Sequence, residues 1–225
     1  MISRTTRFVV LAAVFALATS VAGFAQAPCG LPNELYCQAW DGSGNLFASQ
    51  NDTNGFGNFA TVYDQFTLAK GNSFYDVESF HFVGGYFNPP VQGPIAGFTL
   101  TFYLNDNGGG APGTPIATGF FTSFNEQLLG GSVYSYDLLF NSFDMLPGTY
   151  WASVVPNLGF PPQWGWATSG QGNNLGYQCF FGSCGGLGTN FALAVDGKAI
   201  PEPGTLIMLG TGILGLAGTL RRKLL

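Results

Sequence analysis

The sequence has little charge, and very little of it is positive. Only 8% of the 225 residues are charged, and the chain contains seven Lys and Arg, twelve Asp and Glu, and one His. Between residues 28 and 199, two basic residues stand against eleven acidic ones, which gives a net charge of −9. A surface this acidic repels phosphate groups, so nucleic acid is excluded as a partner and anionic lipid is disfavoured.

Strong helix formers are also scarce, whereas phenylalanine (22 residues), tyrosine (9) and glycine (34) are abundant. This composition favours short strands joined by tight turns. The clearest alternation lies at 98–104, where Phe98, Leu100 and Phe102 share one face. Other strands are predicted at 61–68, 74–82, 116–121, 133–140, 150–155, 164–168 and 191–195. We expect an all-β domain, an antiparallel β-sandwich of jelly-roll type.

The first 25 residues have the order of a secretory signal peptide. Basic Arg4 and Arg7 precede an apolar stretch at 8–18, which is followed by small residues. The apolar stretch forms a signal helix that is too short for a comfortable membrane span. We predict cleavage by signal peptidase after Ala25, because cleavage after Ala27 would place Pro28 beside the broken bond. Residues 26–199 then form an extracytoplasmic domain.

Residues 200–225 form a second apolar segment with basic residues at its end. Its three parts are Pro201-Glu202-Pro203, an uncharged stretch at 205–220, and Arg221-Arg222-Lys223. A helix over the uncharged stretch would span about 24 Å, somewhat less than the roughly 30 Å hydrocarbon core. The basic tail favours a cytoplasmic C-terminus. These features predict a marginal transmembrane helix that holds at least the precursor in the inner membrane.

The same three parts, in this order at the C-terminus, resemble the PEP-CTERM sorting signal. The resemblance covers about 25 residues and implies recognition by an exosortase, a membrane cysteine transpeptidase. It further implies processing near Pro201-Glu202-Pro203 and transfer of the protein to the cell surface. In that family the sorting system accompanies exopolysaccharide and biofilm production.

A second resemblance concerns the middle of the chain and covers about 100 residues. It is similar to a β-sandwich ectodomain found in bacterial secreted proteins that carry interchangeable surface anchors. The resemblance implies the fold and no particular activity. It is carried by the segments 63–66, 80–86, 98–108, 112–113, 147–151 and 164–166.

The four cysteines form two pairs that are close in sequence. An even number of cysteines in an exported chain predicts disulfides, and three connectivities are open for four residues. Local pairing is the simplest of them. Zinc is the alternative, but it would need further ligands in a chain with one histidine. The two local pairs are Cys29 with Cys37 and Cys179 with Cys184.

The sequence offers little catalytic chemistry, and we predict that the protein is not an enzyme and needs no cofactor. His81 lies between Phe80 and Phe82 and is expected on the solvent-facing side of its strand, and no Gly-x-Ser-x-Gly elbow accompanies it. A glycosidase would need two acids at a defined separation. Candidate acids are Asp76, Glu78, Asp137 and Asp144, although solvated carboxylates are the plainer interpretation.

Two loops suggest binding. Asn105, Asp106 and Asn107 precede three glycines and resemble the oxygen-rich loops that hold Ca²⁺, but the same residues form turns without an ion. In the glycine-rich region near the C-terminal end of the domain, aromatic rings suit stacking on sugars or packing in the core. These rings are Trp164, Trp166 and Tyr177.

Export signal, sorting tail and the lack of a reactive constellation together favour a structural or interaction protein of the cell surface or extracellular matrix. Its role would be linked to exopolysaccharide or biofilm. A carbohydrate-binding module is the alternative, and a secreted hydrolase is the third hypothesis. Polysaccharide is a candidate partner of the middle domain, whose ligand the sequence alone does not identify.

Overall fold

The computed structural model describes residues 27–201, 204, 208 and 210–213, and fifteen strands arranged in two sheets make up most of this part of the chain. The all-β prediction is confirmed. The strands are Glu34–Gln38 (β1), Leu46–Ala48 (β2), Gln50–Asp52 (β3), Gly57–Leu68 (β4), Phe74–Phe87 (β5), Gly97–Leu104 (β6), Pro115–Phe121 (β7), Asn125–Gly130 (β8), Val133–Met145 (β9), Gly148–Leu158 (β10), Gln163–Ser169 (β11), Tyr177–Phe180 (β12), Ser183–Gly186 (β13), Asn190–Phe191 (β14) and Leu193–Ile200 (β15).

The eight-stranded sheet has the path β1-β15-β5-β11-β14, with β2 paired to β11, β9 paired to β5, and β8 paired to β9. The seven-stranded sheet has the order β13-β12-β4-β3-β10-β6-β7, with β4 also paired to β10. Nearly all pairings in the described part of the chain are antiparallel. The exception is β10 with β3, which pair in parallel over Asn157–Asn51 and Leu158–Asp52.

The core lies between the two sheets and consists largely of aromatic rings. Alternation turns Phe98, Leu100 and Phe102 of β6 inward, as the pattern predicts. The ring of Phe82 on β5 stacks on that of Tyr136 on β9, with centroids 5.1 Å apart. Offset-stacked and edge-to-face pairs of this kind contribute about 0.5–1.5 kcal/mol each beyond their buried area.

A β-bulge changes which side of β5 faces the core. The registers of β5 with β9 and with β15 both shift between Val77 and Ser79. A bulge inserts one residue and so exchanges the two faces of a strand beyond it. Val77 lies in the core before the bulge and Phe80 after it, which turns Ser79 and His81 to the outer side of the eight-stranded sheet.

Both local disulfides are confirmed. Cys29 is bonded to Cys37 of β1, and Cys179 of β12 is bonded to its register partner Cys184 of β13. The first disulfide ties the beginning of the domain to the eight-stranded sheet. The second joins the two strands of a hairpin at one edge of the seven-stranded sheet.

The two terminal segments are described only in small part. Pro201 is exposed, while Glu202, Pro203 and the basic tail at 221–223 lie outside the described residues, as do residues 1–25. Within the described residues there is no helix long and apolar enough to span a membrane. The signal helix and the transmembrane helix remain predictions.

Candidate functional site

The two sheets differ sharply in charge. Strands of the eight-stranded sheet carry seven carboxylates and Lys198. Strands of the seven-stranded sheet carry only Asp52 and Asp64, and both are buried, at 4% and 0% exposure. The outer face of the seven-stranded sheet is therefore uncharged in a domain that is otherwise strongly acidic.

A groove of about 290 Å³ lies on this uncharged face. It crosses β4, β10 and β6, and all of its lining side chains are uncharged. The lining consists of amides, hydroxyls, two tyrosines and one valine: Asn51, Asn58, Thr61, Tyr63, Thr99, Thr101, Tyr103, Ser153, Val155 and Asn157. We call this surface the neutral groove.

Three tyrosines form a row across the sheet, and two of them, Tyr63 and Tyr103, line the groove. The ring of Tyr63 lies edge-on to that of Tyr103, with centroids 5.5 Å apart, and 6.2 Å from that of Tyr177 on the neighbouring strand. Burial, with Tyr103 nearby, raises the pKa of Tyr63 to about 12, so its hydroxyl stays neutral at physiological pH. The row thus offers apolar ring surface and neutral hydroxyl groups together.

The polar side chains of the groove are held in place by one another. Asn51 Nδ2 donates to Asn157 Oδ1 at 2.9 Å, and Tyr103 Oη lies 3.1 Å from Ser153 Oγ. An amide has two N–H donors and an acceptor oxygen, and a hydroxyl both donates and accepts, so these bonds leave hydrogen-bonding capacity unused. The neutral groove is suited to an uncharged ligand rich in hydroxyl groups.

The loop after β6 is hydrogen-bonded to side chains of β4 and β10. Asn105 Oδ1 accepts hydrogen bonds from Trp151 Nε1 at 2.9 Å and from Gln65 Nε2 at 3.0 Å. Asp106 accepts from the backbone N–H of Thr114 at 2.9 Å and from its hydroxyl at 2.8 Å. These oxygens of the candidate Ca²⁺ loop hold the turn together, and Asn107 is exposed beside them.

The structure corrects the prediction of carbohydrate contacts at the two tryptophans. Trp164 and Trp166 are both 0% exposed and lie in the core between the sheets. Their indole N–H groups donate to Tyr136 Oη and to the carbonyl of Ala192. Neither ring presents a face to solvent, whereas Tyr177 lies half-buried beside the groove.

His81 faces away from the core, as predicted, but it is only 7% exposed. Its Nδ1 lies 2.7 Å from Asp137 Oδ1, and its Nε2 lies 2.9 Å from Ser79 Oγ and 3.5 Å from Asp196 Oδ2. The hydrogen bond with His81 lowers the pKa of Asp137, while burial raises that of Asp196. Cross-strand neighbours therefore cover a side chain that alternation alone places in solvent.

The Ser79–His81–Asp137 chain has the connectivity of a nucleophile, a base and an orienting acid. Ser79 is 5% exposed and lies in a strand paired on both edges, directly after the bulge residue Glu78, which lacks a register partner, so little of its hydroxyl is open to a substrate. Asp196, on the Nε2 side, supplies a second carboxylate that a hydrolytic triad does not use. The cluster is best explained as a polar layer on the sheet, in which Asp196 Oδ1 is buried without a hydrogen-bond partner among the described residues.

The other acids considered for glycoside hydrolysis lie on the same eight-stranded sheet. Asp76 is the register partner of Asp144 on one side and of Lys198 on the other, and Glu78 forms an ion pair with Lys198. These residues do not line the neutral groove. The acids and the groove occupy different sheets.

Comparison with known protein families identifies a motif in one segment of the chain. Residues 199–223 match the family model of the PEP-CTERM protein-sorting motif. The chain therefore carries this motif, which indicates export and sorting to the cell surface by an exosortase. Neither the search of curated proteins nor that of solved structures found a match.

Proposed function

We propose that this protein is delivered to the cell surface by its sorting motif and there binds neutral polysaccharide through the neutral groove. The single observation that carries the binding proposal is the uncharged, tyrosine-containing groove on an otherwise acidic domain. Sugars offer apolar C–H faces that pack on aromatic rings and hydroxyls that match amide and hydroxyl side chains. The role is structural, linking the protein to exopolysaccharide or biofilm, and not catalytic.

The strands of the seven-stranded sheet carry no exposed charge, and the loop after β6 adds only the carboxylate of Asp106, which favours a neutral ligand over an anionic one. An anionic polysaccharide would approach a domain with a net charge of −9 against electrostatic repulsion, with no exposed Lys or Arg on this sheet to pair with. A neutral chain meets no such barrier. We therefore expect binding that depends only weakly on salt.

The delivery pathway is proposed in full from the two chain ends. A signal peptide ending at Ala25 is removed by signal peptidase, and residues 205–220 hold the precursor in the inner membrane until the exosortase acts near Pro201-Glu202-Pro203. Fractionation of cells that express the chain with and without residues 200–225 tests this pathway. We expect the truncated protein to be lost from the surface fraction, and unchanged surface delivery and processing would refute the sorting proposal.

The groove is tested by titrating the exported protein with neutral polysaccharides. Tyr63→Ala and Tyr103→Ala each remove a ring that a sugar can contact, and we expect each to weaken binding about tenfold, the equivalent of about 1.4 kcal/mol. Tyr134→Ala is the matched control, because Tyr134 is a half-buried tyrosine on the eight-stranded sheet. Equal weakening by all three variants would place the ligand elsewhere.

A further inference from the structure

Five phenylalanines form a cluster at the edge of the seven-stranded sheet. Phe56 is 61% exposed, Phe181 60% and Phe180 39%, whereas Phe160 is half-buried and Phe59 buried. Phe56 contacts Phe59, Phe160 and Phe181, with ring centroids 5.9–6.2 Å apart. Phe59 and Phe181 are stacked at 5.2 Å. We call these five rings the phenylalanine platform.

A buried carboxylate holds two of the platform's loops. Asp52 accepts hydrogen bonds from the backbone N–H groups of Asn54 at 2.9 Å, Phe56 at 2.8 Å and Phe160 at 2.7 Å. Burial disfavours the charge of Asp52, but the backbone donors outweigh it and hold its pKa below the usual range. One ionised side chain thus fixes two segments that are about a hundred residues apart in sequence.

The hairpin β12–β13 fixes the remaining exposed rings. Phe180 is the last residue of β12 and Phe181 lies in the turn, which the disulfide between Cys179 and Cys184 closes. The N–H of Phe181 donates to the carbonyl of Phe59 at 2.7 Å, which attaches the turn to β4. Large apolar rings are thereby held at the surface in a defined arrangement, and an arrangement held this way loses little entropy when a ligand binds.

The platform adjoins the neutral groove along β4. Asn58 of the groove precedes Phe59 of the platform, and Thr61 of the groove is the register partner of Cys179. Tyr63 and Phe59 lie four residues apart on β4, a distance of about 13 Å along a strand. The segments that carry the platform, at 53–60, 159–161 and 175–187, contain no charged residue.

We propose that the phenylalanine platform extends the neutral groove, so that the protein binds a long stretch of a neutral polysaccharide chain. This inference rests on the proposed function. Sugars in the groove contact the tyrosine row, and sugars further along the same chain pack on the exposed rings of Phe56 and Phe181. Affinity therefore rises with chain length until both surfaces are covered.

Calorimetric titration of the exported protein tests the extension. The probes are linear neutral glucans, mannans and galactans, each as the polymer and as a graded series of oligosaccharides. The double variant Phe56→Ser/Phe181→Ser removes the two most exposed rings and keeps the backbone bonds to Asp52. Leu139→Ser is the control, because Leu139 is 67% exposed on the eight-stranded sheet.

We expect the double variant to bind the polymer and the longer oligosaccharides about tenfold more weakly and the shortest binding oligosaccharide as the parent protein does. Tyr63→Ala weakens binding at every length, and Leu139→Ser at none. Unchanged binding of long chains by the double variant, or an equal loss at all lengths, would overturn the extension while leaving the groove intact. If no polymer binds, both proposals are wrong.

The same protein preparations test two other occupants of the platform, a second copy of the chain and a lipid surface. Sedimentation velocity of the parent protein and the double variant detects self-association, and flotation with neutral phosphatidylcholine vesicles detects lipid binding. We expect a monomer that does not float. Dimerisation or vesicle binding that the double variant abolishes would assign the platform to a second copy or to lipid, and would contradict the proposal.

Discussion

Asp64 is the most deeply buried carboxylate of the domain, and its substitution gives a prediction with a defined sign. It lies on β4 with 0% exposure. Its Oδ2 accepts hydrogen bonds from Gln38 Nε2 at 3.1 Å and from the backbone N–H of Phe191 at 2.6 Å, both on the opposite sheet. Its Oδ1 accepts from the N–H of Gln65 at 2.8 Å.

Burial raises the pKa of Asp64 from 3.8 to about 7, although its three hydrogen-bond donors act in the opposite direction. The pKa is thus higher in the folded chain than in the unfolded chain, so protonation stabilises the fold. This contribution is fully present below about pH 4 and is lost as pH rises through about 7. Each pKa unit corresponds to about 1.4 kcal/mol, so the loss amounts to at most about 4 kcal/mol.

The variant Asp64→Asn removes this titration and keeps the size of the side chain. At pH 4 we expect it to be about 1 kcal/mol less stable than the parent, because an amide has one acceptor oxygen where the carboxyl group has two. The difference reverses near pH 5, once the parent has lost about 1 kcal/mol, and the variant is the more stable protein at higher pH. Denaturant unfolding with intact disulfides, measured from pH 4 to pH 8, gives both free energies of unfolding.

Asp106→Asn is the control for this series. The hydrogen bonds from Thr114 lower the pKa of Asp106, so its contribution to stability is lost only below about pH 4, and Asp106→Asn should differ from the parent by a nearly constant amount from pH 4 to pH 8. A difference between Asp64→Asn and the parent that stays constant from pH 4 to pH 8 would refute the reasoning. It would mean that Asp64 is ionised throughout this range despite its burial.

Two further substitutions test the packing and the edge hairpin. A Cβ at Gly84 would collide with the ring of Trp164, so Gly84→Ala should lower the free energy of unfolding by about 1–3 kcal/mol. Gly130→Ala is the control and should change the free energy of unfolding little, because nothing lies within 4 Å of the new Cβ. Thermal unfolding of both variants measures this, and equal effects would contradict the packing of Trp164 against Gly84. Replacing Cys179 and Cys184 by Ser should lower the free energy of unfolding by about 2 kcal/mol, because the disulfide closes only a short loop. An unchanged denaturation midpoint would show that the hairpin is stable without the disulfide.

Alternation predicts the core well because burial on one side of a strand repeats every second residue. Phe98, Leu100 and Phe102 follow it without interruption, and all three are buried. In β5 the bulge after Val77 exchanges the core-facing and outward-facing sides of the strand, and no residue type at this position predicts the bulge. Alternation also predicts that His81 is exposed to solvent, and this is wrong because Asp137 and Asp196 cover its side chain. Both carboxylates are remote from His81 in sequence.

Much of the candidate site follows from residues that the same pattern leaves on the outer face. In β6 the residues between the core positions are Thr99, Thr101 and Tyr103, and all three line the groove. The pattern does not reveal that β10 pairs with both this strand and β4, which brings Tyr63 close to Tyr103. Pairing between distant strands, and not local composition, creates the site.

The two tryptophans show how composition alone misleads. A glycine-rich neighbourhood suggests a loop with exposed rings. Instead, Gly84 on the adjacent strand leaves the space that the Trp164 ring fills, and β11, which carries Trp164 and Trp166, is buried along its whole length. Glycine here marks close packing in the core and not an open surface.

The central claim is that the uncharged sheet, and not the acidic one, meets the polysaccharide. Hydroxyl-radical footprinting of the exported protein, with and without a soluble neutral polysaccharide that binds it, tests this most directly. The account predicts that oxidation of Tyr63, Tyr103 and Phe181 falls when the polysaccharide is bound, while that of Tyr134 and Leu139 is unchanged. Protection of the latter two residues, with none at the tyrosines of the groove, would contradict it.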